Sequence, residues 1–119
     1  MIVMLFEYWL APEHVEEYRA HAAHLRALAA DADGLCSIES FHSTSEPDKL
    51  LALGVFRDEA AVRAWRNHPD HRAAQADGRA RLFTGYRLRM ANVLRDYTHD
   101  RRHTAPQDSQ QHHIKPEGV

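Results

Sequence analysis

The chain has 119 residues, a formal charge of −2 and one cysteine. That length suits one domain, the near-neutral charge removes the electrostatic case for nucleic acid or an anionic membrane, and the lone Cys36 excludes a disulfide framework or a multi-cysteine zinc site. An apolar content of 44% fits a small soluble domain with a compact core, expected in the reducing cytoplasm.

The opening stretch, "MIVMLFEYWL", has no basic n-region and is far short of a membrane span, so it reads as a strand rather than a signal. Ile2, Met4, Phe6 and Tyr8 fall on one side and Val3, Leu5 and Trp9 on the other, which predicts cover on both faces. Pro12 and the acids Glu13, Glu16 and Glu17 open a helix whose stripe is Val15, Tyr18, Ala22, Leu25 and Ala29, with Gly34 as its breaker. "LCSIESFHSTS" and "KLLALGVF" predict two strands joined by the turn "EPD". Asp58 is the predicted cap of a second helix that places Ala61, Ala64, Trp65 and His68 on one face. Pro69 breaks it and starts a further helix running to about Phe83. "YRLRMANVLRDY" closes the pattern as a last strand. The order β–α–β–β–α–β predicts an α+β, ferredoxin-like domain over residues 1–98, with a four-stranded antiparallel sheet and helices on one face. Residues 99–119 have almost nothing apolar to bury and are expected to be a disordered tail.

The densest chemistry lies in "AWRNHPDHRAAQADGR". A zinc site needs a third protein ligand beside His68 and His71, and no Asp, Glu or Cys stands nearby in a ligand motif, so no metal is expected. His21 and His24 read as part of a solvated helix face. His71, Ala74, Gln75, Gly78 and Leu82 share one helix face, mixing polar groups with very small ones. Spacing alone leaves two readings open. In one, that face lines a cavity with Trp65, Phe83 and Tyr86 as aromatic walls. In the other, the small residues permit close helix packing while His68 and His71 satisfy backbone groups at the break. There is no phosphate loop and no positioned Ser–His–Asp motif, which leaves acid–base work by a histidine or binding without reaction.

The segment "VFRDEAAVRAWRNHPDHRAAQADGR", followed by a strand ending "ANVLRDY", resembles the antibiotic biosynthesis monooxygenase domain family of dimeric α/β-barrel proteins. The likeness spans roughly Met1–Thr98. It implies a homodimer paired through its sheets and a small-molecule cavity between each sheet and its helices. Some members oxidise phenolic or quinol-like substrates with O₂ and no metal or organic cofactor, some degrade haem, and many have no assigned substrate. The haem branch carries a tryptophan, matched by Trp65, but Gln75 stands where its iron-ligating histidine would be, and Phe6, Glu7 and Tyr8 stand where it uses an asparagine. The resemblance therefore implies a cofactor-free reaction of a small aromatic substrate with O₂. On that reading His71 is the base or hydrogen-bond partner, with His68 second and Gln75 orienting the ring oxygen. Trp65, Phe83, Tyr86, Phe6 and Tyr8 would then contact the substrate. The competing reading is a non-catalytic binding or stress-related dimer with the same pocket.

Overall fold

The computed structural model describes residues 1–113. Strand β1 (Ile2–Leu10) leads into a 3-10 turn at Pro12–His14 and helix α1 (Val15–Ala29). Strands β2 (Leu35–His42) and β3 (Lys49–Phe56) follow, then helices α2 (Glu59–Arg66) and α3 (Pro69–Asp77), a π-helical turn at Gly78–Leu82, strand β4 (Phe83–Asn92) and helix α4 (Gln107–His113). The four strands form one antiparallel sheet in the order β2-β3-β1-β4, the predicted ferredoxin-like α+β fold.

Alternation along β1 decides the layers. Ile2, Met4, Phe6 and Tyr8 pair with Phe56, Gly54, Ala52 and Leu50 of β3 on the helix side. Ile2, Phe56, Ala29, Ala61, Val62 and Trp65 form the buried core there. Phe56, Tyr8 and Leu82 are essentially inaccessible, each burial contributing about 2–3 kcal/mol. The opposite face carries Val3, Leu5, Leu51, Leu53 and Val55, only half-buried in the protomer. Near its centre Glu7 sits 2.6 Å from Lys49 and 2.5 Å from Arg89. The Lys49 hydrogen bond, with Arg89 and against desolvation, holds the Glu7 carboxyl below its usual range.

Local signals account for the element ends. Asp58 accepts the Ala61 N–H at 2.9 Å and so caps α2. Gly34 has φ +81°, and a Cβ there would come 2.6 Å from that of Ala61, so the turn between α1 and β2 needs glycine on both counts.

Three expectations need correction. The helix expected to reach Phe83 ends at Asp77; the π-helical turn then takes up Gly78–Leu82, and β4 begins at Phe83 rather than Tyr86. It also stops at Asn92, because β4 is an edge strand paired only with β1, and Asn92 lies opposite the first β1 residue, Ile2. On α2 it is Val62, not Ala64, that joins Ala61 and Trp65 in the core, while Ala64 is exposed. The segment after Thr98 also differs from a structureless tail within the described residues. Thr98 and Arg101 form a bridge, Ala105 is buried and α4 follows. Its recorded bonds are local, such as Thr104 Oγ1 to the Asp96 carbonyl and Gln110 Nε2 to that of Ala105. Short-range bonds shape this segment where apolar burial is scarce. The rest of the expected tail, residues 114–119, lies outside the described residues.

Candidate functional site

A cavity of about 410 Å³ lies between the sheet and helices α1, α2 and α3. That volume is in the range of sites for small organic ligands. Its floor is apolar. By register Tyr86, Leu88 and Met90 of β4 share the helix-side face with Phe6 and Met4, yet they stay 49%, 53% and 42% exposed. The sheet is therefore least covered along this edge strand, where those side chains line the cavity. On the helix side the Pro69 break turns the chain so that Trp65 of α2 and His71, Ala74 and Gln75 of α3 face one space. The small Ala74 leaves room between them.

His71 is the best-placed titratable group. Its ring lies against Trp65, with centroids 4.8 Å apart and planes 30° apart. Its Nδ1 is 3.0 Å from the Trp65 carbonyl oxygen. A carbonyl only accepts, so the contact assigns the proton to Nδ1 and leaves the Nε2 lone pair free. The Gln75 carboxamide nitrogen, 3.3 Å from the same Nδ1, then makes a contact rather than a bond. No partner of Nε2 occurs among the described residues. Burial, aided by the nearby Arg72 and His68 charges and opposed by the carbonyl bond, lowers the His71 pKa from 6.5, so the ring is neutral at pH 7. The buried Trp65 indole N–H also lacks an acceptor among the described residues. Such a donor is stabilised by an incoming oxygen atom.

A second group of rings forms the other wall. Phe6 packs against Phe83 and Tyr86 at centroid distances of 5.6 and 5.8 Å. Tyr8 lies behind them, enclosed by Phe6, Tyr18 and Phe83 at 5.1, 5.2 and 5.4 Å, with no exposed surface. Its hydroxyl accepts from that of Tyr18 at 2.5 Å. Tyr18 lines the cavity, and burial together with the Tyr8 contact pushes its pKa above the ordinary tyrosine value. It is a neutral hydroxyl there.

The expected site residues thus separate. Trp65, His71, Gln75, Phe83, Tyr86 and Phe6 come together around the cavity. Tyr8 does not reach it, because neighbouring rings close over it. Nor does His68, whose Nδ1 instead accepts the Asp70 N–H at 3.2 Å and caps α3. The two readings of the break therefore both hold, for different residues: His68 serves the backbone, Gln75 lines the cavity and His71 does both. Sequence reasoning passed over Tyr18, Met4, Leu88 and four arginines as lining groups. Tyr18 and Met4 lie on the predicted apolar faces of α1 and β1, but only the packing of helix on sheet and the β1–β4 register bring them together with Leu88 at one cavity.

His21 and His24 also have a role that spacing alone did not show. They reach across to α3, His21 Nε2 to Asp77 at 2.9 Å and His24 Nε2 to Asp70 at 3.0 Å. Arg81 joins this clamp, bonding both Glu17 and Asp77. Glu17, His21 and Asp77 have ligand atoms within 4.8 Å of one another, the arrangement a metal ion would need. Arg81 already supplies the positive charge between the two carboxylates, and its guanidinium pKa is raised by their hydrogen bonds. Although desolvation opposes it, His21 and Arg81 hold the Asp77 carboxyl below its usual range.

The chain is thus a small α+β protein, a four-stranded ferredoxin-like sheet with a largely apolar cavity under its helices. Residues 1–77 match the family model described as antibiotic biosynthesis monooxygenase, and the chain belongs to that family. Among characterised relatives, the jasmonate monooxygenase ABM of Pyricularia oryzae is 32% identical over 93 residues, covering 78% of this chain and 43% of that protein. The uncharacterized protein YqjZ of Bacillus subtilis is 30% identical over 78 residues, covering 66% of this chain and 67% of that one. The chain thus spans less than half the length of the first relative. Two solved structures share the fold at a TM-score of 0.73. They are Rv0793 of Mycobacterium tuberculosis, at 15% identity over 82% of this chain and 98% of that one, and a Deinococcus radiodurans protein named "putative antibiotic biosynthesis monooxygenase", at 14% over 82% and 97%. Among the described residues no helix is long and apolar enough to cross a membrane.

Proposed function

We propose that the protein is a monooxygenase that oxidises a small phenolic or quinol-type compound with O₂ in the cavity between sheet and helices. The observation that carries this reading is His71, whose Nδ1 contact with the Trp65 carbonyl leaves a neutral Nε2 as a base in an aromatic-walled cavity. The family and the name of the Pyricularia relative support oxygen chemistry.

Nε2 takes the phenolic proton, and the phenolate is electron-rich enough to reduce O₂ where the neutral phenol is not. One oxygen atom enters the ring and the other leaves as water. A phenol and O₂ become a quinone and water, so the four electrons that reduce O₂ all come from the substrate and no external reductant is required. Gln75 and the Trp65 N–H would orient the ring oxygen, and Phe6, Phe83 and Tyr86 would hold the ring. The half-buried apolar sheet face supports a homodimer formed through it. The exposed Cys36 thiol suits a reducing, cytoplasmic setting.

The test is oxygen uptake by the purified protein against a panel of phenols, quinols and jasmonate, with ¹⁸O₂ labelling of the product and a haem titration in parallel. One labelled atom in a quinone product, without added metal, is expected. Turnover of jasmonate alone would replace the substrate class, a haem absorption band with haem loss would replace the mechanism, and ligand binding without uptake across the panel would leave a binding protein.

A further inference from the structure

Four arginines, Arg26, Arg66, Arg72 and Arg79, line the cavity, and among the described residues Glu39 is the only carboxylate in its lining. None of the four has an acidic partner within salt-bridge distance among the described residues. Elsewhere among these residues Arg19, Arg57, Arg81 and Arg89 each hold one while Arg63, Arg87, Arg95, Arg101 and Arg102 do not, so what sets the four apart is their convergence on one cavity. Three separate helices and the π-helical turn contribute the four, so their presence at one cavity is a product of the fold and not of a local run of charge.

Two of them mark a place. The carboxamide oxygen of Gln75, a cavity residue, lies 3.2 Å from an Arg72 guanidinium nitrogen and 3.5 Å from one of Arg79. Arg72 is further held by Asn67 Oδ1 at 2.6 Å. Amide oxygens fix these guanidiniums in position without neutralising them. A carboxylate matches a guanidinium fork with two charge-assisted bonds, which an amide oxygen cannot supply.

Resting on the reading of this cavity as the substrate site, we propose that its ligand is an amphipathic carboxylate, with an apolar ring system over the sheet and a carboxylate held by Arg72 and Arg79 where the Gln75 oxygen now lies. Arg26 and Arg66 add positive potential at the same cavity, which draws anions in. Anionic ligands are thereby separated from neutral ones of equal shape.

Isothermal titration with naphthalene-2-carboxylate and its uncharged isostere naphthalene-2-carboxamide tests this on the full-length protein. The carboxylate is expected to bind at least about tenfold more tightly at low ionic strength, and the advantage should shrink as salt approaches about 0.5 M, since the arginines are exposed to screening. The double variant R72Q/R79Q should abolish the preference, so that carboxylate and amide bind it with equal affinity. Equal binding of the two probes to the wild type, or a preference that survives in R72Q/R79Q, would overturn the proposal while leaving the cavity as a ligand site. Failure of both probes to bind would overturn it together with the reading on which it rests. The assay reads binding alone, so a protein that takes up no oxygen can still uphold the proposal.

Discussion

Replacing His71 with Asn and with Ala separates its structural bond from its chemistry. His71→Ala removes the Nδ1–H bond to the Trp65 carbonyl, a net loss of about 1 kcal/mol, because that carbonyl still accepts the His68 N–H at 3.2 Å and is not left bare. It also removes a ring packed 4.8 Å from Trp65, worth a further ~0.5–1.5 kcal/mol. The sum is about 1.5–2.5 kcal/mol, which in a domain of this size lowers Tm by roughly 5–10 °C. An asparagine places an amide N–H near the Nδ1 position and keeps the carbonyl bond, so His71→Asn should lose only the ring contact, ~0.5–1.5 kcal/mol, and be about 1 kcal/mol more stable than His71→Ala. Neither variant has a base in place of Nε2, so both should lose at least about 100-fold in kcat. Thermal melts and the pH dependence of kcat/KM on the best substrate of the oxygen-uptake panel are the assays. The wild-type rate should rise with pH through a pKa below 6.5, as burial of the ring requires, and this acid limb should vanish in His71→Asn. A His71→Asn protein that keeps its activity and acid limb would refute His71 as the base. One as unstable as His71→Ala would refute the assignment of the bond.

The same lowered pKa fixes the sign of a stability effect. Between its folded value and 6.5 the unfolded chain binds the extra proton, so this residue's contribution is fully present above about pH 6.5 and is lost as pH falls through the folded pKa. Denaturant melts at pH 5 and 7.5 should show a larger acid loss for wild type than for His71→Asn; equal losses would contradict it. Gly78→Ala would put a Cβ 2.6 Å from Phe83 Cε2, forcing the ring to shift at a cost of about 1–3 kcal/mol; unchanged melting and unchanged naphthalene-probe affinity would refute that crowding. Leu53→Glu, on the free sheet face opposite Leu5, should convert a species of twice the 13.7 kDa chain mass to a monomer in light scattering, and a monomeric wild type would remove the dimer. Truncation after Thr98 should leave Tm within a few degrees, because the segment's recorded bonds are local; a larger fall would show that Ala105 and its neighbours stabilise the domain.

The fold was legible because its signals are local and repeat along the chain. Alternation through Ile2–Tyr8, the stripe from Val15 to Ala29, Asp58 as a cap, the Pro69 break and Gly34 each act within a few residues, and the hydrophobic effect then admits few ways of layering such elements. "AWRNHPDHRAAQ" likewise contained Trp65, His71 and Gln75 at spacings that brought them to one space. What only the tertiary structure decided depends on partners far apart in the chain. Tyr8 and Phe6 share a strand face, but Tyr18 and Phe83 bury one and leave the other at the cavity. His68 and His71 are three residues apart, and only the turn of the chain at Pro69 gives one to the Asp70 backbone and the other to the cavity. The cation at Glu17 and Asp77 is Arg81, whereas the four arginines that converge on the cavity wall meet no carboxylate within salt-bridge distance among the described residues. A charge's effect is set by what stands within a few ångströms of it, and for side chains from different elements that distance exists only once the sheet and helices have packed.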